Sequence, residues 1–523
     1  VAGGWRVSRS DTCAFRSVIR LCLLQFLAAA TAAALQTSVG GRPVDLDATL
    51  VIREVIEEDR ATTHERTLEQ LRLRAAVSLA DWLRFDSTTI GANGGPTMKA
   101  DRSGVYNLSD VFQDVSPSAE FDEAYLDMFF PSVDLRLGKQ KVAWGKLDRF
   151  QPNDMINPFS YLDPFLQEEA ERKIGVPALQ ASYYLPESIG APAESRLTAV
   201  WVPQYVPYRF GLANCTVHDR APDCNIERWF PPAALPPNTF TVPGEIVGLP
   251  VGQSLTLPLA FNVQNIPTPA WRFNNSEIGL RYWAHVHDVD FALYYFHGYD
   301  PQPAFNFQAF ATGSSDLKDL MGTTTLSPVF KQVDSGGADF AFAFDRFTLR
   351  GEGAFVRDRP FPRDLNSLVA NPLQLKDSLL NAIRQLQNGA GSAEVVLPPS
   401  FAVRNAVEWG VGGDWVYEGY LLLLQVNQTD VFHNDVPLLI KNVETRLSAN
   451  FRKTFLADTL KTQLIALQAI ESDYTMLQPS LTYRLTDHVA AETGYLFIAG
   501  RSASVVGQYK HNGEGWVRLA YSL

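Results

Sequence analysis

Beyond about residue 60, apolar and polar residues alternate one for one in runs of strand length. Between Val133 and Trp144, Val133, Leu135 and Leu137 fall on one face, and Asp134, Arg136, Gly138 and Gln140 fall on the other. Around Arg281, the residues Ile278, Leu280, Tyr282, Ala284 and Val286 oppose Arg281, Trp283, His285 and His287. Phe347, Leu349 and Phe355 oppose Arg350 and Glu352, and Val443, Leu447 and Phe451 oppose Glu444 and Arg446. Successive side chains of a strand point to opposite faces, so each of these segments needs apolar surroundings on one side and water on the other. The pattern runs to the last residue, with Val517, Leu519, Tyr521 and Leu523 on one face and Trp516, Arg518, Ala520 and Ser522 on the other.

Tight polar turns are expected around Asp288, Ser335-Gly336-Gly337, Asp345-Arg346 and Thr486-Asp487-His488. They alternate with long connections at 87–118, 145–175, 204–275, 299–322 and 358–400. Short turns at one end and long loops at the other predict an all-β fold, a transmembrane antiparallel β-barrel of about 16–18 strands with long extracellular loops. An even strand number closes the sheet and removes its edges. No later run is long and apolar enough for a transmembrane helix. Hydrophobic residues make up 46% of the 523 and the mean hydropathy is −0.08, an average that strands with alternating faces produce in a barrel as readily as in a soluble protein.

The competing fold is a soluble β-sandwich or β-helix, including a secreted glycan-binding or glycan-cleaving β-protein. Against it stand aromatics near segment ends, where interfacial girdles need them: Phe129, Phe130, Trp201, Tyr294, Tyr295, Trp409, Trp415, Tyr495, Phe497, Trp516 and Tyr521. The opposite faces carry charged and small residues, which suit a solvated lumen.

The amino-terminal stretch places Arg6, Arg9, Arg16 and Arg20 before the apolar run Leu21 to Ala30, and Ala32-Ala33-Ala34 follows. This is the layout of a secretory signal peptide, cut after Ala34, which leaves 35–523 as one barrel domain. Cleavage removes four arginines and one aspartate and takes the net charge from −12 to −15. With that charge and no basic run, a nucleic-acid partner is excluded. Cys13 and Cys22 leave with the signal. Cys215 and Cys224 remain in a proline-rich loop and are expected to form a disulfide in an oxidising compartment. The other reading, a metal pair with His218, lacks further ligands.

The stretch Leu137-Gly138-Lys139-Gln140-Lys141-Val142-Ala143-Trp144-Gly145-Lys146-Leu147-Asp148, followed by Asp154, Asn157 and Pro158, resembles the Gly-Lys/Arg-Gln-x-x-x-Trp-Gly signature of porin-like proteobacterial outer-membrane proteins. These form a family of unknown function, similar in style to phosphate-selective and alginate-export porins. The resemblance covers about 133–175; elsewhere only the strand pattern is similar. It implies a channel in the Gram-negative outer membrane and does not name the solute. The terminal alternation likewise resembles the C-terminal insertion signal of such proteins, with Leu523 where Phe or Trp is usual.

Physically, the motif reads as a strand leaving the bilayer at Trp144 and turning at Gly145 into a polar loop. Two readings of that loop stand: folded inward it narrows the pore, with Lys146, Asp148, Arg149 and Asp154 setting its field, or it is an ordinary solvated extracellular loop. Asp134, Arg136, Gln140, Arg281, His285, Arg350, Glu352, Glu444, Arg446 and Arg484 are candidate pore-lining residues. Pro372 to Leu386 is a different kind of segment: Leu375, Leu379, Ile383 and Leu386 recur at helical spacing, with Gly389 beyond, which predicts one short amphipathic loop helix.

No Gly-x-Ser-x-Gly elbow, phosphate loop or His-Glu-x-x-His pair is present, so catalysis has no support in the sequence. His285 and His287 lack a third ligand, so no metal and no cofactor are expected. The function expected is passive diffusion of small hydrophilic solutes through an outer-membrane porin-like channel in contact with membrane lipid. The alternatives are an outer-membrane transporter of hydrophobic compounds, and a barrel sheathing a periplasmic or efflux partner.

Overall fold

The computed structural model describes residues 38–523 except 40, 59–62, 95–117, 193, 210–212, 219–220, 227–228, 230–238, 244–252, 264–267, 316–319, 365–375 and 503. The signal segment lies outside the described residues. Eighteen strands form one closed antiparallel barrel. In chain order they are β1 (Arg42–Glu58), β2 (Thr63–Ala80), β3 (Leu83–Asn93), β4 (Ser118–Phe129), β5 (Val133–Gln140), β6 (Val176–Tyr184), β7 (Glu194–Val202), β8 (Glu277–Val286) and β9 (Val289–Tyr299). There follow β10 (Gln332–Phe344), β11 (Phe347–Pro362), β12 (Phe401–Tyr417), β13 (Tyr420–Val431), β14 (Val443–Phe455), β15 (Leu460–Ala469), β16 (Tyr474–Arg484), β17 (Val489–Gly500) and β18 (Glu514–Ser522). Each pairs with its neighbours in sequence order, and β18 closes on β1 in the register Leu50↔Tyr521, Arg53↔Arg518 and Glu57↔Glu514. Ser38–Val39 only extends β1.

The connections 81–82, 130–132, 287–288, 345–346, 418–419, 456–459 and 485–488 lie at one end, together with the longer 185–193. The other end carries 94–117, 141–175, 203–276, 300–331, 363–400, 432–442 and 501–513. The turn expected at Ser335-Gly336-Gly337 is not one: these residues lie inside β10, and Gly337 serves a contact described below.

The outward face is apolar. Leu137, Leu280, Leu293, Leu349, Leu424, Leu447, Leu481 and Val517 are all exposed on it. Tyr183, Phe344, Phe347, Trp415, Tyr417, Tyr420, Phe455, Tyr483 and Tyr521 ring its short-turn edge, and Trp201, Tyr295, Phe355, Trp409, Tyr495 and Phe497 its loop edge. From Phe347 to Phe355 the belt stands about 20 Å tall, at about 3.3 Å per residue and a tilt of about 40°. Three aromatics expected in the girdles have the inward parity. Tyr294 and Trp516 are buried inside the barrel, each on the inward parity of its strand. Phe129 shares the inward parity of Asp127 at the turn, beside Phe130, which stacks on Trp82.

The long loops carry structure of their own. Strands Ala213–His218, Ala221–Ile226, Thr239–Pro243, Ser254–Val263, Ala304–Thr312, Met321–Val329 and Ser392–Val395 make a second, smaller sheet. The expected helix is α1 (Lys376–Gln387); residues 372–375 of its sequence limits lie outside the described residues. Leu379, Ala382, Ile383 and Leu386 are its buried face, and Ala382 and Leu386 pack against Ala311 and Ala393 of this sheet. No helix among the described residues is long and apolar enough to cross a membrane.

Trp516 is packed in an interior cluster with Val55, Leu467, Tyr474 and Leu496, donates to Glu492 at 3.0 Å, and lies over Gly494. Trp516→Ala should lower the unfolding free energy by about 3–5 kcal/mol. Val517→Ala, one residue on and facing outward, should cost far less. Urea unfolding of the barrel in lipid vesicles, followed by heat-modifiable gel migration, measures both; equal effects would refute the assigned parity.

Candidate functional site

The connection between β5 and β6 turns into the barrel. Gly138 holds φ +141°, where a Cβ would stand 2.2 Å from the carbonyl oxygen of Ala124, so only glycine fits this close crossing of β4. Beyond Gln140, the fully buried Asn157 staples both ends of the loop. Its Oδ1 accepts the Val142 N–H at 2.6 Å, and its Nδ2 donates to the carbonyls of Gln140 at 3.1 Å and Ile174 at 2.8 Å. The Ile174 N–H donates to the Pro158 carbonyl at 2.8 Å.

Trp144 then enters the interior. It is 4% exposed, its ring lies 5.5 Å from that of Tyr294, and the missing side chain of Gly279 makes room for it. The expectation that Trp144 anchors a membrane interface is therefore corrected: the residue packs inside the barrel. Gly145 has φ +91°, and a Cβ there would fall 2.7 Å from the Glu352 carboxylate. That carboxylate accepts the backbone N–H groups of Lys146 at 2.9 Å, Leu147 at 3.3 Å and Asn153 at 2.8 Å. Three backbone N–H groups converge on this one side chain, so Glu352 is a polar anchor of the loop tip.

Asn153 reaches on to the Ala338 carbonyl at 3.1 Å, and a Cβ on Gly337 would collide with it at 1.9 Å, which explains the glycine in the middle of β10. Farther across, the Asp148 N–H donates to Gln425 at 3.1 Å, Gln425 donates to the Arg149 carbonyl, and Asn427 donates to the Phe150 carbonyl at 3.1 Å. Gln425 and Asn427 lie on β13, nearly opposite β5 in a ring of eighteen. The later part of the loop binds the remaining wall: Arg66 of β2 donates to Asp163 at 3.1 Å, and Gln478 of β16 to the Phe165 carbonyl at 2.9 Å.

Two apolar clusters fix this arrangement. Val142, Trp144, Met155 and Ile156 pack on inward residues of β6, β7, β9 and β11, including Val176, Val200, Phe296 and Val356. Phe165 and Leu166 pack with Trp229 on the inner wall of β1 and β15–β18. The inner face expected to be wet along its whole length is thus dry where the loop covers it. Replacing wall water by packed side chains is what holds a loop across a lumen.

Charged side chains surround the loop tip. Lys146 Nζ lies 3.1 Å from Asp290, whose other oxygen is 2.8 Å from His285 Nδ1. Arg350 pairs with Asp148 at 3.0 Å and with Asp414. Arg281 lies over the Tyr294 ring at 5.4 Å and Arg446 over the Phe150 ring at 5.0 Å. Burial pushes the Asp148 carboxyl above the ordinary carboxylate range, with Arg350 working against it, and burial pulls the Arg149 guanidinium below its usual value. On the wall near β5, Arg136 grips Asp127 through two bonds of 2.7 and 3.0 Å and lies over Tyr125. Asp134 accepts from Tyr184 beside it.

Several candidates sit elsewhere. Gln140 is fully buried and donates to the Ala178 carbonyl at 2.9 Å, and Lys139 is buried next to it. Glu444 is fully buried under the 470–473 connection and accepts from Ser472. Glu352 anchors the loop and does not line open space. Asp154 is buried against Lys173, its carboxyl pushed up by that burial, so its charge is neutralised locally. Arg484 donates to the Asp458 carbonyl at 2.7 Å at the short-turn rim, away from the loop. Asn153, Asp290, Gln425 and Asn427 belong to the site although their types alone did not mark them. Inward amides in the middle of β13 were the available signal. Among the described residues, no group of three His, Cys, Asp or Glu side chains is placed to hold a metal ion.

No family model matches the chain, and no curated protein matches its sequence. Among solved structures, it is similar to Pseudomonas aeruginosa OccK8 (OprE), at 8% identity and a TM-score of 0.45, over 92% of this chain and 98% of that one. Similar matches are P. aeruginosa OccK2 (OpdF) in complex with glucuronate, at 7% identity and 0.46 over 92% and 98%, and Salmonella typhi OmpF with daunomycin, at 9% and 0.37 over 94% and 100%. Resemblance at this level assigns neither solute nor mechanism; the barrel rests on this chain's own strand register.

Glu352→Ala leaves the N–H groups of Lys146, Leu147 and Asn153, two of them buried, without this acceptor and should lower stability by about 2–4 kcal/mol. Glu352→Gln, which keeps one acceptor oxygen, should fall between. Unfolding midpoints in vesicles separate the three proteins, and an unchanged midpoint for Glu352→Ala would refute the anchor.

Proposed function

We propose that the chain is a porin-like channel of the Gram-negative outer membrane, exported by a cleaved signal peptide, through which small hydrophilic solutes diffuse passively. The observation that carries this reading is the loop 141–157 crossing the barrel to β13 while charged groups remain around its tip. A closed barrel with an apolar belt needs a bilayer, because only lipid removes that much outward apolar surface from water. In this reading, the loop is the constriction, and Lys146, Asp148, Arg350, Asp414, Asp290 and His285 form its field. Arg281, Arg446, Arg136 and Asp134 line the approach. Opposed charges across a narrow aqueous gap favour polar solutes that can orient in the field and disfavour apolar ones.

Planar-bilayer conductance of the refolded protein tests the reading; no channel events at any salt concentration would sink it. Arg350→Gln should favour cations in a salt gradient by about 1 kcal/mol, roughly fivefold in permeability ratio. An unmoved reversal potential would remove Arg350 from the constriction.

Cys215 and Cys224 stand opposite each other in the antiparallel pair Ala213–His218 and Ala221–Ile226. This register supports the disulfide expected for an exported chain, since directly paired strand positions bring Cα atoms within bridging range. Alkylation of the unfolded mature protein should add mass only after reduction. Labelling without reductant would refute the bridge.

A further inference from the structure

On the outer face at the loop end, polarity changes in orderly steps up the barrel wall. Leu293 is a belt residue, and the next outward row along the strands is Leu280–Tyr295–Gly336–Phe355. The next level is an ionisable row running straight across three strands, His297–Asp334–Arg357, set by the register Asp334↔His297 and Asp334↔Arg357. Asp334 binds His297 at 2.8 Å, Arg357 at 2.5 Å and the Tyr295 hydroxyl at 3.0 Å.

Above the row lies a knuckle, residues 270–276, ahead of β8. Asn275 donates to the Ala270 carbonyl at 2.8 Å and accepts from the Tyr299 hydroxyl at 3.1 Å, Ser276 donates to the Phe273 carbonyl at 2.6 Å, and Gln332 donates to the Asn274 carbonyl at 3.0 Å. Gln332 has the outward parity of Asp334, so the knuckle is tied to the outside of the wall. This braced turn presents Trp271 and Phe273 at 73% and 79% exposure, more than any other large apolar side chain described, with Arg272 between them. Bracing two aromatics into solvent costs free energy unless something covers them.

We propose that this face is a docking site for an anionic glycerophospholipid, with the headgroup phosphate at Arg272 and Arg357, the glycerol part against Trp271 and Phe273, and the acyl chains along the belt below. The order from cation and aromatic to ionisable row, aromatic and aliphatic surface matches the order of groups along an amphiphile. It is also continuous with the belt, so a ligand seated here lies at the depth of the bilayer interface, where aromatic and cationic side chains are favoured. The proposal rests on the outer-membrane reading above.

Native mass spectrometry of the full refolded protein, released from micelles containing phosphatidylglycerol and phosphatidylcholine in equal amounts, tests it. The wild-type chain should retain phosphatidylglycerol about tenfold over phosphatidylcholine. Trp271→Ala/Phe273→Ala and Arg272→Gln/Arg357→Gln should each lose that preference, with heat-modifiable migration and single-channel conductance unchanged as proof of folding. Equal retention in wild type and folded variants overturns the proposal, as does a dimer that the aromatic substitutions abolish, since the face would then join copies of the chain. Missing conductance with lipid retention intact counts against the channel reading alone.

Discussion

Backbone hydrogen bonding across the β18–β1 seam governs the rest of this structure. An eighteen-strand sheet with an apolar outer face can leave no row of unpaired N–H and C=O groups in lipid, so it must close on itself. Closure turns the two-residue period of each strand into two surfaces with different solvents. The outer surface becomes a belt edged by aromatics, and the inner surface becomes a wall that loops or water must satisfy.

Inside, the wall is satisfied in two ways along its height. Where the 141–175 loop enters, it offers backbone N–H groups to Glu352 and Gln425 and apolar side chains to Val176, Val200 and Val356. Elsewhere Arg136, Arg281, His285 and Arg350 meet carboxylates and aromatic rings around the remaining space. A glycine of the motif and one of β10 make this possible for a steric reason. Gly145 and Gly337 each leave out a Cβ that would occupy the position of a Glu352 or Asn153 oxygen.

Much of the barrel was legible in the sequence, because alternation and tight turns are local and each strand declares its own faces. The outward positions of Leu280, Leu349, Leu447 and Val517 follow directly from parity. The site was legible in its loop but less so in its roles. Glu352 and Arg350 have the same parity on β11 and read alike as lumen charges, yet one is an anchor and the other faces the tip. Trp144 read as an interface anchor because tryptophan prefers that place; the space opposite Gly279 decided otherwise. Ser335-Gly336-Gly337 read as a turn because glycine pairs usually mark one, whereas here the glycine at 337 admits a loop distant in sequence.

What the sequence by itself determined is the two-faced strand, its repetition into a closed sheet, the end that carries the long loops, and the amphipathic loop helix. These are consequences of short-range periodicity, which a chain carries wherever it folds. The tertiary structure alone decided that the loop after β5 crosses to β13, that Gln140, Glu352 and Glu444 are buried, and that the outer loops assemble a second sheet. Each depends on which residues meet across tens or hundreds of positions, and contacts of that range leave no period in the sequence.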